Sequence, residues 1–138
     1  MTLVVDSSMT LAWYFEDEKT DESTSVLHQV VAAGAVVPAH WRLEVLSGLQ
    51  VAVRRRRITV GYRDASLAEL RDLPIAIDRG TNRQAWSATL RLCDRFRLTP
   101  YDAAYLELAL RRRLPLATLD GELARAAQAE NVPLVGAA

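Results

Sequence analysis

Short apolar runs alternate along this chain with longer stretches of helical periodicity, and that alternation restricts the fold more than any other feature. The runs are Leu3-Val4-Val5, Ala35-Val36-Val37, Pro74-Ile75-Ala76-Ile77, Leu114 to Leu119, and Val132-Pro133-Leu134-Val135. Most are rich in β-branched residues and are closed by Asp, Pro or Gly, as short buried strands are. The stretches between them carry apolar residues three and four apart, the spacing of a helix with one buried face. Parallel strands need crossovers of this kind. The pattern predicts a three-layer α/β/α sandwich on a mainly parallel sheet of about five strands, as one domain spanning 1–138.

Helices are predicted over about 22–33, 39–55, 59–73 and 81–97, with another opening at Pro100 and a last one after Gly121. Gly34 terminates the first of these. In the second, Trp41, Val45, Leu49, Ala52 and Val53 form a broad apolar face. Tyr62, Leu67 and Leu70 face inward from the third, and Trp86, Leu90 and Cys93 share a face of the fourth. Trp13, Trp41 and Trp86 are therefore expected in the core. The single cysteine excludes an internal disulfide and a cysteine zinc site, and is read as a core thiol. No apolar run approaches the roughly 18 residues of a membrane span, and no leader pattern is visible, so a cytoplasmic protein without membrane contact is expected.

Seventeen acids balance seventeen bases, but unevenly. Five acids and Lys19 lie between Glu16 and Glu22, which leaves 12 acids against 16 arginines elsewhere, an excess of 4 positive charges. Arginine clasps phosphate with two donors, so a polyanionic partner suits this surface. The clusters Arg54–Arg57 and Arg111–Arg113 are explained as well by helix ends that offset the helix dipole.

Four acids stand out. Asp6 follows the first strand, where ligands bind in open α/β sheets, although it also suits a helix cap. Asp120 ends the Leu114–Leu119 run with the same ambiguity. Asp102 sits third in a helix that Thr99 caps and Pro100 opens, and that helix is apolar almost all round, so its N-terminal acid points into a cleft. Glu44 borders the apolar face of a core helix with no base in the following turn; only His40, one turn back, can pair with it. Asp78 also ends a strand and is read as a turn residue, given Gly80 and Asn82 after it. In a parallel sheet the strand ends share one edge, so Asp6 and Asp120 can be neighbours there. Two bare carboxylates about 4 Å apart repel by roughly 4 kcal/mol at an effective dielectric near 20. Such a group must hold protons or bind a cation, and an oxygen-only set suits Mg²⁺ or Mn²⁺.

Taken together, Val4-Val5-Asp6-Ser7-Ser8, Glu44, Tyr101-Asp102-Ala103-Ala104-Tyr105 and Ala117-Thr118-Leu119-Asp120 resemble the PIN-domain signature, specifically that of the VapC toxins of type II toxin–antitoxin systems. Each motif is short, but their order and intervals span nearly the whole chain. The resemblance implies a Mg²⁺- or Mn²⁺-dependent endoribonuclease, inhibited by a VapB-type antitoxin and forming a homodimer. It carries the catalytic and metal-binding acids onto Asp6, Glu44, Asp102 and Asp120, and supporting hydroxyls onto Ser8 and Thr118. Three rivals are weaker. A haloacid-dehalogenase-type phosphotransferase needs a second Asp where Ser8 stands, and the only lysine, Lys19, is in the acidic loop. A receiver-type module needs paired acids after the first strand and a lysine after the last. A PIN-like module kept for binding alone sits poorly with four intact acids.

Overall fold

Leu3, Val4 and Val5 are wholly buried because the strand they form, β1 (Leu3–Val5), is central in the sheet. The structure, a computed structural model, describes residues 2–136; residues 1, 137 and 138 of the expected domain lie outside the described residues. After β1 come α1 (Ser7–Ala12), α2 (Asp21–Ala33), β2 (Ala35–Val37), α3 (Trp41–Arg54), α4 (Val60–Asp72) and β3 (Ile75–Ile77). A short α5 (Thr81–Gln84) runs through a π-helical turn, Ala85–Thr89, into α6 (Leu90–Phe96), and α7 (Pro100–Arg112), β4 (Leu116–Ala117) and α8 (Gly121–Ala129) complete the order. The strands pair in the order β3-β2-β1-β4, all parallel, with Val4 opposite both Val36 and Leu116.

Helices flank this sheet. α1 packs on α3 and α3 on α4, while α7 lies against β1 and β4 and is itself covered by α6 and α8. α7 is therefore the most buried helix, with every residue from Ala103 to Ala109 inside. Gly48 lets α1 approach α3: a Cβ there would collide with the Leu11 side chain. That approach holds the helix carrying Glu44 against the helix that Asp6 caps.

Three expectations are corrected. The sheet has four strands among the described residues; Val132–Val135 makes only an isolated bridge, Leu116 to Leu134. Pro133 has no N–H to donate, so the ladder cannot lengthen there. Trp86 is 92% exposed, and Leu90 is exposed too. The π-helical turn inserts an extra residue and rotates the following face, so Thr89 and Leu92 turn inward instead. Tyr62 is half exposed, although its hydroxyl donates to the Tyr14 carbonyl at 2.7 Å; Leu70 is buried as expected. Trp13 and Trp41 are core residues, their indole N–H groups donating to the Ser23 carbonyl (2.9 Å) and to Thr10 Oγ1 (3.1 Å). Cys93 is half-buried against the core.

The arginine clusters are partly structural. Arg57 pairs with Asp17 and Glu18 of the acidic loop and lies over the Phe15 ring. Arg111 bridges Asp78 and Glu107, both buried, and Arg112 also approaches Asp78. Asp78 does shape a turn, accepting from Gly80 N at 2.9 Å, but its larger role is this ion pair.

Candidate active site

Asp6 ends β1 and caps α1 at once. Its Oδ1 accepts from Met9 N (2.9 Å) and from the Ser8 hydroxyl (2.7 Å), and its Oδ2 accepts from the Thr118 hydroxyl. It is 3% exposed. Burial pushes its pKa up to about 6; the donors Thr118, Met9 and Ser8 pull it back, and the charge of Asp102 adds to the rise. A carboxylate held in place by three donors yet reluctant to ionise is one that gains from a nearby cation.

Asp120 is built alike on the neighbouring strand connection. As the N-cap of α8 it accepts from Glu122 N (2.9 Å) and Leu123 N (3.1 Å). Thr118 joins the two acids: its hydroxyl donates to Asp6 while its oxygen accepts from Asp120 N at 3.0 Å. Ser8 does the same on the other side, accepting from Leu119 N at 3.0 Å. Both hydroxyls singled out in the sequence thus stitch the end of β1 to the loop after β4. Capping and site formation are here one arrangement, not alternatives, because a capping acid at a strand end faces the open edge of the sheet.

Asp102 sits in the first turn of α7, with Thr99 capping through Asp102 N (3.2 Å) and Pro100 opening the helix. Its pKa is raised, first by burial and then by the charges of Asp120 and Glu44. Glu44 lies in the first turn of α3, with His40 Nε2 3.4 Å from Oε1. The Tyr105 hydroxyl donates to the same oxygen at 2.5 Å.

Asp102 is the common neighbour of the acids named from the sequence: the charges of Asp120 and Glu44 act on it, and its own charge acts on Asp6. Among the described residues no arginine or lysine pairs with any of them. His40 was named in the sequence reading only as the base able to pair with Glu44, and Tyr105 carried no assigned role there. Their helical spacing was the available signal, four residues before Glu44 and three after Asp102.

The donor set fits a hard divalent cation: carboxylates and hydroxyls only, like-charged and partly buried. The geometry is not a closed cage, since among the described residues no three His, Cys, Asp or Glu side chains stand ready to hold one ion. Mg²⁺ does not need one, because it keeps several waters and takes one or two carboxylates directly.

Comparison with known proteins identifies the family and the fold. The PIN-domain family pattern matches residues 3–129. Ribonuclease VapC3 of Mycobacterium tuberculosis, known from two strains, is 38% identical over 107 residues, which cover 78% of this chain and 75% of that protein. Among solved structures, PAE2754 from Pyrobaculum aerophilum superposes with a TM-score of 0.71 at 20% identity, over 98% of this chain and 84% of that one. Mycobacterium tuberculosis VapC20, described as a sarcin-ricin loop cleaving toxin, gives 0.61 at 16% identity over 90% and 94%. At those identities the structures speak for the fold. The family match over nearly the whole chain and the VapC relative together place this chain in the PIN-domain family, as a VapC-type member.

Proposed function

We propose that this chain is the toxin of a type II toxin–antitoxin pair and hydrolyses RNA phosphodiester bonds at the cluster of Asp6, Glu44, Asp102 and Asp120, with Mg²⁺ or Mn²⁺ bound there. The observation that carries this reading is a group of four acids that no arginine or lysine pairs with among the described residues, at the sheet edge of a chain 38% identical to a ribonuclease. A divalent cation supplies charge screening for the phosphodiester and lowers the pKa of bound water. Asp6, Asp102 and Asp120 hold the ion directly or through water, and Glu44 completes that shell. Thr118 and Ser8 keep Asp6 and Asp120 in fixed orientation. One of the carboxylates takes the proton of the attacking water, and arginines outside the structural ion pairs hold the flanking phosphates.

Partners follow from the same reading. A VapB-type antitoxin inhibits the site, and the acidic loop 16–22 offers a basic antitoxin a complementary charge. The protein acts as a cytoplasmic homodimer; among the described residues no helix is long and apolar enough to cross a membrane.

The test is cleavage of cellular RNA by purified protein with Mg²⁺ or Mn²⁺. Asp6→Asn and Asp102→Asn are each expected to lose at least about a hundredfold in rate, the scale of removing a group engaged in the transition state. Cleavage by Asp6→Asn at the wild-type rate would falsify the assignment.

A further inference from the structure

Tyr105 lies one turn after Asp102 on the same face of α7, and it is wholly buried. A buried phenol needs a partner for its O–H, and this one has Glu44 Oε1 at 2.5 Å. His40 Nε2 stands 3.4 Å from that same oxygen and 3.0 Å from the Tyr101 carbonyl. A carbonyl only accepts, so Nε2 carries the proton and directs it at α7. The His40 ring meets Tyr101 and Tyr105 edge-on, with centroids 5.7 Å and 5.3 Å away. Oε1 of Glu44 is thus occupied by the Tyr105 hydroxyl, with the His40 ring beside it. Oε2 receives no hydrogen bond among the described residues.

We propose that Tyr105 is the positioning residue for Glu44: its hydroxyl occupies Oε1, so that Glu44 meets a divalent cation, or water held by one, through Oε2 alone. The proposal rests on the metal-dependent reading above and adds a residue that the acid motifs do not contain. An ionised carboxylate oxygen only accepts, so in this 2.5 Å contact the Tyr105 hydroxyl is the donor. Glutamate is long and loses rotamer freedom when it is fixed. An oxygen tied to α7 before the cation arrives removes part of that cost at the binding step, as hydrogen-bond partners of metal ligands generally do.

The test is a Mn²⁺ titration of the full chain, followed by calorimetry or by the electron paramagnetic resonance signal of free Mn²⁺, on wild type, Tyr105→Phe, Glu44→Gln and the double variant. Tyr105→Phe is expected to weaken Mn²⁺ binding about tenfold, the scale of losing a partner of a metal ligand. RNA cleavage should fall at low Mn²⁺ and recover at saturation, with KM for RNA unchanged. In the Glu44→Gln background Tyr105→Phe should change Mn²⁺ affinity no further, because Tyr105 acts through Glu44. A folding defect would carry over into that background, so an equal loss there overturns the proposal. So does a Tyr105→Phe affinity within about twofold of wild type, well short of that scale. Wild type that binds no Mn²⁺ overturns the metal reading itself, and this is visible before any substitution is compared.

Discussion

Asp6 stands where two demands meet. Its three donors orient the carboxylate, while burial and Asp102 raise its pKa to about 6. In the metal-free protein this has a defined cost. The unfolded chain releases the Asp6 proton near the ordinary carboxylate value of 3.8 and the folded one near 6, so between these the folded state binds more protons. Stability from this group is complete below about pH 4 and is lost as pH rises through about 6, by about 3 kcal/mol at one pKa unit per 1.36 kcal/mol. Urea midpoints measured in EDTA across that range should fall for wild type and stay flatter for Asp6→Asn, which should also be the more stable at neutral pH. Parallel slopes for the two proteins would remove Asp6 as the source.

Among the elements, α7 does the most to assemble the site. Its N-terminus presents Asp102, its next turn supplies Tyr105, and its far end is tied to the turn after β3 by Arg111 reaching Asp78 at 2.6 Å, while Glu107 of α7 itself holds the guanidinium at 2.8 Å. Hydrogen bonding from Arg111 holds the Asp78 carboxyl below its ordinary pKa, against burial. Its contribution is therefore present above the normal carboxylate range and disappears as pH falls through it. Asp78→Ala leaves Arg111 with Glu107 alone and opens the turn at Gly80. A loss of about 2–3 kcal/mol is expected by urea denaturation at pH 7, toward the low end for a broken ion pair because Arg111 is partly exposed. Cleavage at saturating metal should change little, since Asp78 touches none of the four acids. The neighbouring α5–α6 segment teaches a different lesson. Trp86, Leu90 and Cys93 have the spacing of a core face, but hydrophobic periodicity assumes an unbroken helix. A single π-helical turn at Ala85–Thr89 shifts the phase and leaves Trp86 in solvent.

For the molecule as a unit, the balance of charge inside the site matters more than the neutral total. Four acids that no arginine or lysine pairs with among the described residues repel one another, so a bound divalent cation should stabilise the folded state by mass action. At about 100 times the dissociation constant the gain is about 2.7 kcal/mol. Thermal melts with increasing Mn²⁺ should therefore rise for wild type, fall back with EDTA, and rise much less for Asp102→Asn. An equal rise in Asp102→Asn would place the ion elsewhere.

The layered α/β fold, the positions of the acids and their caps were readable from order and spacing, because strand and helix periodicities are local and Thr99, Pro100 and Asp120 act within their own turns. So was the pairing of His40 with Glu44, four residues apart on one helix. Distant partners were not readable. The Tyr105–Glu44 hydrogen bond spans 61 residues and Thr118–Asp6 spans 112. Each exists only because β1 pairs with β4 and α7 packs across β1, which brings together chain segments whose own neighbours carry no trace of the contact. The opening run Leu3-Val4-Val5-Asp6 thus announced a strand with an acid at its end. What that acid faces was decided by packing, since burial and like charge come from segments that meet it only in the folded chain.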